Sequence, residues 1–165
     1  MDALDIVPIH YKALDEDVKL PEYQNAGDAG MDIYSNEEVI IKPQHTALVK
    51  TGLIFQIPVG YEIQIRPRSG ISLNTPLRIA NSPATIDSGY RGEVKVIFTN
   101  TSLPIDCTDQ IPLSSKGNLQ GIYKIKKYER IAQIVVAKVD FFRFLKIEEF
   151  YKSDRSNKGF GSTGV

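Results

Sequence analysis

Polar and apolar residues alternate along much of this chain with the period of two that marks a strand buried on one face. In "GYEIQIR", Tyr61, Ile63 and Ile65 fall on one face and Glu62, Gln64 and Arg66 on the other. In "EVKVIFT", Val94, Val96 and Phe98 share a face. "EVIIKP" and "TALVKTGLIFQIP" predict further strands, punctuated by Pro43, Gly52, Pro58 and Gly60. "RIAQIVVAKV" is apolar on both faces except at Gln133 and Lys138, which predicts a strand buried on both sides. Many short strands without a long amphipathic helix predict an all-β sandwich or barrel. The one helical candidate is "SGISLN", Ser69 to Asn74, with Ser69 placed to cap it.

Three stretches break this pattern. "NSPATIDSGYRGEVKV", Asn81 to Val96, reads as a β-hairpin. Its bend holds a carboxylate, Asp87, and a ring, Tyr90, where a plain two-residue turn needs neither. "TSLPIDCTDQIPLSSKGNLQG", Thr101 to Gly121, is polar and rich in turn residues, and reads as an extended surface loop between two strands. The final "YKSDRSNKGFGSTGV" is polar and Gly-rich, and is expected to be mobile by itself.

Composition narrows the classes. A chain of 165 residues with 42% hydrophobic content is expected to form one domain with a real core. Twenty basic and twenty acidic residues balance, so charge gives no argument for nucleic acid or an anionic membrane as partner. A local site for a small anion stays compatible with that balance. Cys107 is the only cysteine, so no intrachain disulfide can form. Asp106 and Thr108 flank it and no His or Lys is nearby, so it is expected to be inert. His10 and His45 with a single cysteine do not make a His/Cys zinc site. The N-terminus lacks the basic and apolar runs of a signal peptide, and no stretch approaches about 18 apolar residues. The expected location is the cytoplasm, or the host-cell interior for a viral protein. "NTS" at Asn100 matches a glycosylation sequon, read here as a chance match.

Four stretches carry candidate chemistry. "RPRSGIS" sets Arg66, Arg68, Ser69 and Gly70 where a strand enters a helical turn, a place suited either to an anion or to a simple capped turn. It is not a Walker loop. "AGDAGMDIYS" holds Asp28 and Asp32 in a Gly-rich stretch, where turn-forming Asp is the ordinary reading. Gln133 interrupts an apolar strand, so its amide needs a partner, either in a structural network or on a ligand. "GFGSTG" closes the chain with a ring, glycines and two hydroxyls, which is either a disordered end or a cradle for phosphate.

In this order, "AGMDIYS", "RPRSGIS", "ATIDSGYRGEV", "ERIAQIVV" and "GFGSTG" closely resemble the five signature motifs of the trimeric dUTP diphosphatase (dUTPase) family. The resemblance runs from about Ala26 to the C-terminus and leaves out Thr101 to Gly121. It implies a jelly-roll-like all-β fold and a homotrimer whose active sites lie at subunit interfaces. Residues 1–150 would form the β-domain, and residues 151–165 an arm closing over a neighbour's site.

The resemblance also implies the site. Asn81 matches the residue that bonds the pyrimidine edge, helped by main chain around Thr85, Ile86 and Lys95. Tyr90 matches the ring under the deoxyribose, where a 2′-hydroxyl has no room. Asp87 matches the acid that activates the attacking water at the α-phosphorus of dUTP, giving dUMP and pyrophosphate. Arg68, Ser69 and Gly70 match the phosphate-binding turn. Asp32 and Gln133 match residues that hold the waters of a Mg²⁺ ion, outer-sphere, with Gln133 also near the substrate. In the tail, Arg155 matches the arginine on the γ-phosphate, Phe160 the ring over uracil, and Gly161, Ser162 and Thr163 the phosphate-wrapping turn. Arg130 is expected to pair structurally within the interface.

The sequence departs from the family pattern in places. Ser156 and Lys158 stand for glycines in the tail, Ala84 for a frequent glycine, and Tyr128-Glu129 for Gly-Asp. The segment from Thr101 to Gly121 is longer than the usual connection. A dCTP deaminase on the same fold, or a bifunctional deaminase–diphosphatase, is the enzyme alternative. A dUTP-responsive protein-binding module is the alternative of another class.

Overall fold

The computed structural model describes residues 6–104, 106 and 108–153. The described residues form twelve strands and one short helix. These are β1 (His10–Ala13), β2 (Met31–Tyr34), β3 (Val39–Ile41), β4 (Thr46–Lys50), β5 (Leu53–Gln56), β6 (Tyr61–Arg66), α1 (Ser69–Asn74), β7 (Leu77–Ile79), β8 (Ala84–Ile86), β9 (Lys95–Asn100), β10 (Gln110–Pro112), β11 (Ile122–Ile125) and β12 (Arg130–Lys138). They form four small sheets, ordered β1-β5, β10-β11-β3, β2-β12-β6-β8 and β4-β9-β7. Apart from β10 and β11, neighbouring strands are not consecutive in the chain, as expected of a jelly-roll-like arrangement whose connections cross between sheets.

The alternating patterns place their apolar faces in one core. Ile63 and Ile65 of β6, Val96 and Phe98 of β9, and Val94 just before β9 are each 0–1% exposed. They meet Ile33, Ile41, Val49, Leu53, Tyr123 and Ile131 from the other strands. The polar face of β6 forms its own ladder: Gln64 donates to Glu62 at 2.6 Å, and Arg66 donates to Gln64 at 2.6 and 3.0 Å.

Three expectations are corrected. The Asn81–Val96 stretch is not a paired hairpin. β8 pairs with β6, whereas β9 pairs with β4 and β7. Val94 donates its N–H to Leu53 at 2.8 Å, which leads the second arm into the other sheet. The bend is therefore a corner between two sheets, wide enough to leave its side chains facing outward. Secondly, the Thr101–Gly121 segment contains β10, which runs parallel to β11. A three-residue edge strand ending in Pro112 carries no period that a pattern could reveal. Thirdly, Ser69 does not cap α1. The cap position is Arg68, with no side-chain bond to the first-turn N–H groups, and Ser69 is the first helical residue.

β12 lies between β2 and β6. Its face with Ile134 packs on the core, but Gln133, Val135 and Ala137 on the other face are only half-buried. Burial on both sides is thus not reached within one chain. Just beyond β12 the Val139 N–H donates to the Gly60 carbonyl at 2.8 Å. Phe141, Phe142, Phe144, Leu145, Phe150 and Tyr151 then stand 70–100% exposed.

The departure at Tyr128 has a structural counterpart. Tyr128 sits at φ 68°, a left-handed conformation that costs a side-chain-bearing residue about 1 kcal/mol. Its hydroxyl donates to Asp17 in a short hydrogen bond, and Lys19 and Lys127 each lie 5.0 Å from its ring centroid. The Lys127 ammonium, 2.8 Å from Asp17, and the Tyr128 hydroxyl hold that carboxylate below its ordinary range. The same contacts raise Lys127 above the usual lysine value. A depressed carboxylate stabilises the fold above its unfolded value near 3.8 and loses that effect as pH falls through the folded value. The raised lysine acts below its unfolded value and loses its effect only as pH rises through the folded one. Asp17→Asn should therefore lower Tm modestly at pH 7, with the deficit shrinking at pH 3 and in high salt because the pair is exposed. A deficit unchanged by pH and salt would assign the effect to packing.

Candidate active site

Two cavities gather the candidate residues described by the structure, apart from Asn81. The first, of about 390 Å³, lies at the corner after β8. It brings together Thr85, Ile86, Asp87, Tyr90 and Lys95, with Leu48, Val94 and Ile97 completing the wall. The Tyr90 N–H donates to the Asp87 carbonyl at 3.0 Å, and the Tyr90 hydroxyl donates to the Glu93 carbonyl at 3.1 Å. These two bonds fold the ring back across the turn. A Cβ at Gly92 would run into that ring and its hydroxyl, so glycine is required there for close approach rather than for its backbone angle. Lys95 lies 3.6 Å from Glu93. The Asp87 side chain is exposed and has no partner among the described residues. Asn81 is exposed before β8 and does not contribute to this wall.

The second cavity, of about 360 Å³, is built by β2, β12 and the start of α1. It brings together Asp32, Arg68, Ser69, Gly70 and Gln133, with Gln24, Asp28 and Gly30. Asp32 and Gln133 are register partners across β2 and β12, which is why two residues so distant in sequence meet. Asp32 is 8% exposed and its carboxylate is doubly paired, to Arg68 at 2.8 Å and to Arg130 at 3.2 Å. Two guanidinium partners offset the desolvation of a nearly buried carboxylate. Arg130 therefore pairs within its own chain, and also donates to Gln24 at 3.1 Å.

Gln133 donates to the Pro67 carbonyl at 2.9 Å, which gives its amide a structural partner. A Cβ on Gly30 would lie 2.6 Å from the Gln133 side-chain oxygen. Gly30 thus leaves that oxygen facing the cavity. Asp28, by contrast, behaves as a turn residue, accepting from the Asn25 backbone at 2.9 Å. Asp32 belongs to a strand instead, because β12 recruits "MDIY" into the sheet.

The donor set fits a hydrated Mg²⁺. Among the described residues no group of three or more His, Cys, Asp or Glu side chains could hold a metal directly. Mg²⁺ keeps several waters and binds through few protein oxygens. One carboxylate and one amide oxygen in a polar cavity beside the α1 turn are suited to those waters.

Arg155, Phe160, Gly161, Ser162 and Thr163 lie outside the described residues, as do Ser156, Lys158 and Cys107. Sequence reasoning missed Gly30, Gly92, Gln24, Leu48 and Ile97. For the glycines the only signal was their closeness to Asp32 and Tyr90. For the others there was none, since strand pairing from elsewhere in the chain sets their positions.

The chain matches the dUTPase family model over residues 16–164. It belongs to the dUTPase family. A relative named deoxyuridine 5'-triphosphate nucleotidohydrolase, from Nautilia profundicola, is 42% identical over 153 residues, covering 93% of this chain and 96% of its own. The solved Staphylococcus bacteriophage 80alpha dUTPase with dUPNHPP is 33% identical with a TM-score of 0.86, covering 96% of this chain and 99% of that one. A mutant of the dUTPase from phage phi11 of S. aureus, described with a structural Mg(II) ion, is 28% identical with a TM-score of 0.78. It covers 88% of this chain and 99% of that chain. The curated names make this dUTPase a hydrolase of dUTP, the first of the readings drawn from the motifs. Among its described residues no helix is long and apolar enough to cross a membrane.

Proposed function

We propose that this dUTPase hydrolyses dUTP to dUMP and pyrophosphate in sites shared between the chains of a homotrimer. The Asp87 cavity of one copy would hold the nucleoside, and the Asp32–Arg68–Gln133 cavity of a neighbour the phosphates. The observation that carries this is their separation. The two cavities share no lining residue within one chain, and each gathers one half of the residues that the resemblance assigns to the chemistry. The half-buried outer face of β12 and the exposed aromatic run after it support further association, since such surface normally acquires a partner.

In the nucleoside cavity the main chain at Thr85 and Ile86 reads the uracil edge, and Asn81, which stands outside this cavity's wall, is assigned to the base by the resemblance alone. Tyr90, folded back by its bond to Glu93, closes the sugar side against a 2′-hydroxyl. The exclusion of a thymine methyl at the base edge and of a 2′-hydroxyl beside Tyr90 is steric, reinforced for the hydroxyl by the penalty of burying an unpaired polar group. Asp87 orients a water in line with the α-phosphorus and accepts its proton as the new P–O bond forms. The bond to the bridging oxygen breaks, and pyrophosphate leaves. Arg68 and the uncapped first-turn N–H groups at Ser69 and Gly70 hold the departing phosphates. Asp32 and Gln133 would hold the waters of a bound Mg²⁺, and that ion would supply neutralisation of phosphate charge. From the tail, Arg155, Phe160, Gly161, Ser162 and Thr163 cover the occupied site.

Pyrophosphate release from dUTP, dTTP, UTP and dCTP with Mg²⁺, together with ammonia release from dCTP, tests this. Turnover of dUTP alone is expected. Equal use of dTTP or UTP would remove the assigned roles of the Asn81–Tyr90 pocket.

A further inference from the structure

We propose that Lys116, carried by the segment between β9 and β11, binds the γ-phosphate of dUTP. This rests on the dUTPase reading above, and gives the longer connection a place in the site.

The segment is fixed against β11 and the end of α1, the helix that follows the phosphate turn, rather than trailing from the surface. β10 pairs with β11, and Leu113, buried at 7% exposure, donates its N–H to Lys124 at 3.2 Å. The Ser115 N–H donates to the Pro112 carbonyl at 3.0 Å, closing a turn just before Lys116. Gly117 and Asn118, at φ 86° and 52°, reverse the chain just after it. The Asn118 N–H then donates to the carbonyl of Asn74, the last residue of α1, at 2.9 Å. Lys116 is thus held on both sides, next to the helix whose first turn faces the phosphates.

Lys116 lines a groove of about 700 Å³ together with Arg68, Gly70, Asn74, Ser115 and Arg130. This groove shares Gln24, Arg68 and Gly70 with the Asp32–Gln133 cavity, so it continues the phosphate site along α1. Arg130, and Arg68 with its further role on the phosphates, both share their charge with Asp32. Lys19 is held over the rings of Tyr34 and Tyr128. The groove's acids are Glu22 and Glu129, and Glu129 accepts from the Lys126 backbone at 2.8 Å. Lys116 is exposed and has no ion pair among the described residues. Among the groove's described cations it is the one without a carboxylate or ring partner, which leaves it available to a multiply charged ligand extending from the phosphate turn. An ammonium on a flexible stem suits a phosphate as a point charge.

The test uses the full-length protein and its K116A, K116Q and K116R variants. Calorimetry with Mg²⁺ measures inorganic pyrophosphate and dUMP separately, and steady-state kinetics measures dUTP. K116A and K116Q should weaken pyrophosphate binding and raise KM for dUTP by about three- to tenfold. Affinity for dUMP and kcat should stay within about twofold, and K116R should recover most of the loss. Unchanged pyrophosphate affinity in K116A, or equal weakening of dUMP, would overturn the assignment. Absence of dUTP turnover in the unaltered protein would remove the dUTPase reading instead, and the pyrophosphate titration still decides Lys116.

Discussion

Asp87→Asn is expected to lower kcat on dUTP by about 10²–10⁴-fold, the range for losing a positioned general base. Binding of a non-hydrolysable dUTP analogue should change by no more than a few-fold. The expectation follows from what surrounds the carboxylate. Asp87 is exposed at the end of β8 and has no side-chain partner among the described residues, so nothing in the fold depends on its charge. The turn is held instead by the backbone bond from Tyr90 to the Asp87 carbonyl, which Asn keeps. The variant should therefore fold, associate and melt like the parent. Asn fills the same space and still orients a water, but it does not accept the proton. Rate and binding should then separate, the signature of an interaction made only in the transition state. Unchanged kcat would show that another group takes the proton. A large loss of analogue binding would mean that Asp87 holds substrate rather than water.

The strands with clean alternation could be read from sequence because each carries its own buried face. Ile63 with Ile65, and Val94 with Val96 and Phe98, need no knowledge of their neighbours. Three-residue strands such as β7, β8 and β10 could not be read this way, because a period of two barely repeats in them. The corner after β8 was legible in its chemistry but not in its topology. Asp87, Gly89, Tyr90 and Gly92 signal a bend, whereas the divergence of its arms is decided by β6 and β4. Asp32 was placed in the site by resemblance, and its double pairing to Arg68 and Arg130 was not legible. That pairing depends on the register of β2 with β12, where one irregularity between Arg130 and Ala132 shifts the partners. The division of the candidate residues between two cavities was likewise invisible, since no local pattern records how far apart sheet edges fall.

Asn100→Ala is expected to destabilise the fold by about 3–5 kcal/mol, among the largest effects of any single polar substitution. Asn100 ends β9 at 0% exposure. Its amide nitrogen donates to Ile41 at 2.9 Å and to Gly121 at 2.8 Å. Its side-chain oxygen accepts from Ser102 at 3.0 Å. One side chain thus joins the end of β3, the end of β9 and both ends of the Thr101–Gly121 segment. Ser102, also at 0% exposure, closes the same junction by accepting from the Gly121 N–H at 3.1 Å. Truncation would leave two carbonyls and one N–H buried without this partner, and a void besides. At this chain length the loss corresponds to a fall in Tm of about 10–15 °C. Asn100→Asp separates the two contributions. It keeps the shape and the acceptor for Ser102 but replaces both donated bonds with carboxylate oxygen facing carbonyl oxygen. At pH 7 it should be at least as destabilising as Ala, because an unpaired buried charge adds to the lost bonds. A fall below about 3 °C in both variants would show that water takes over the three bonds. The same burial bears on the sequon at Asn100, because in the folded chain its amide is committed to carbonyls and the junction has no room for a glycan.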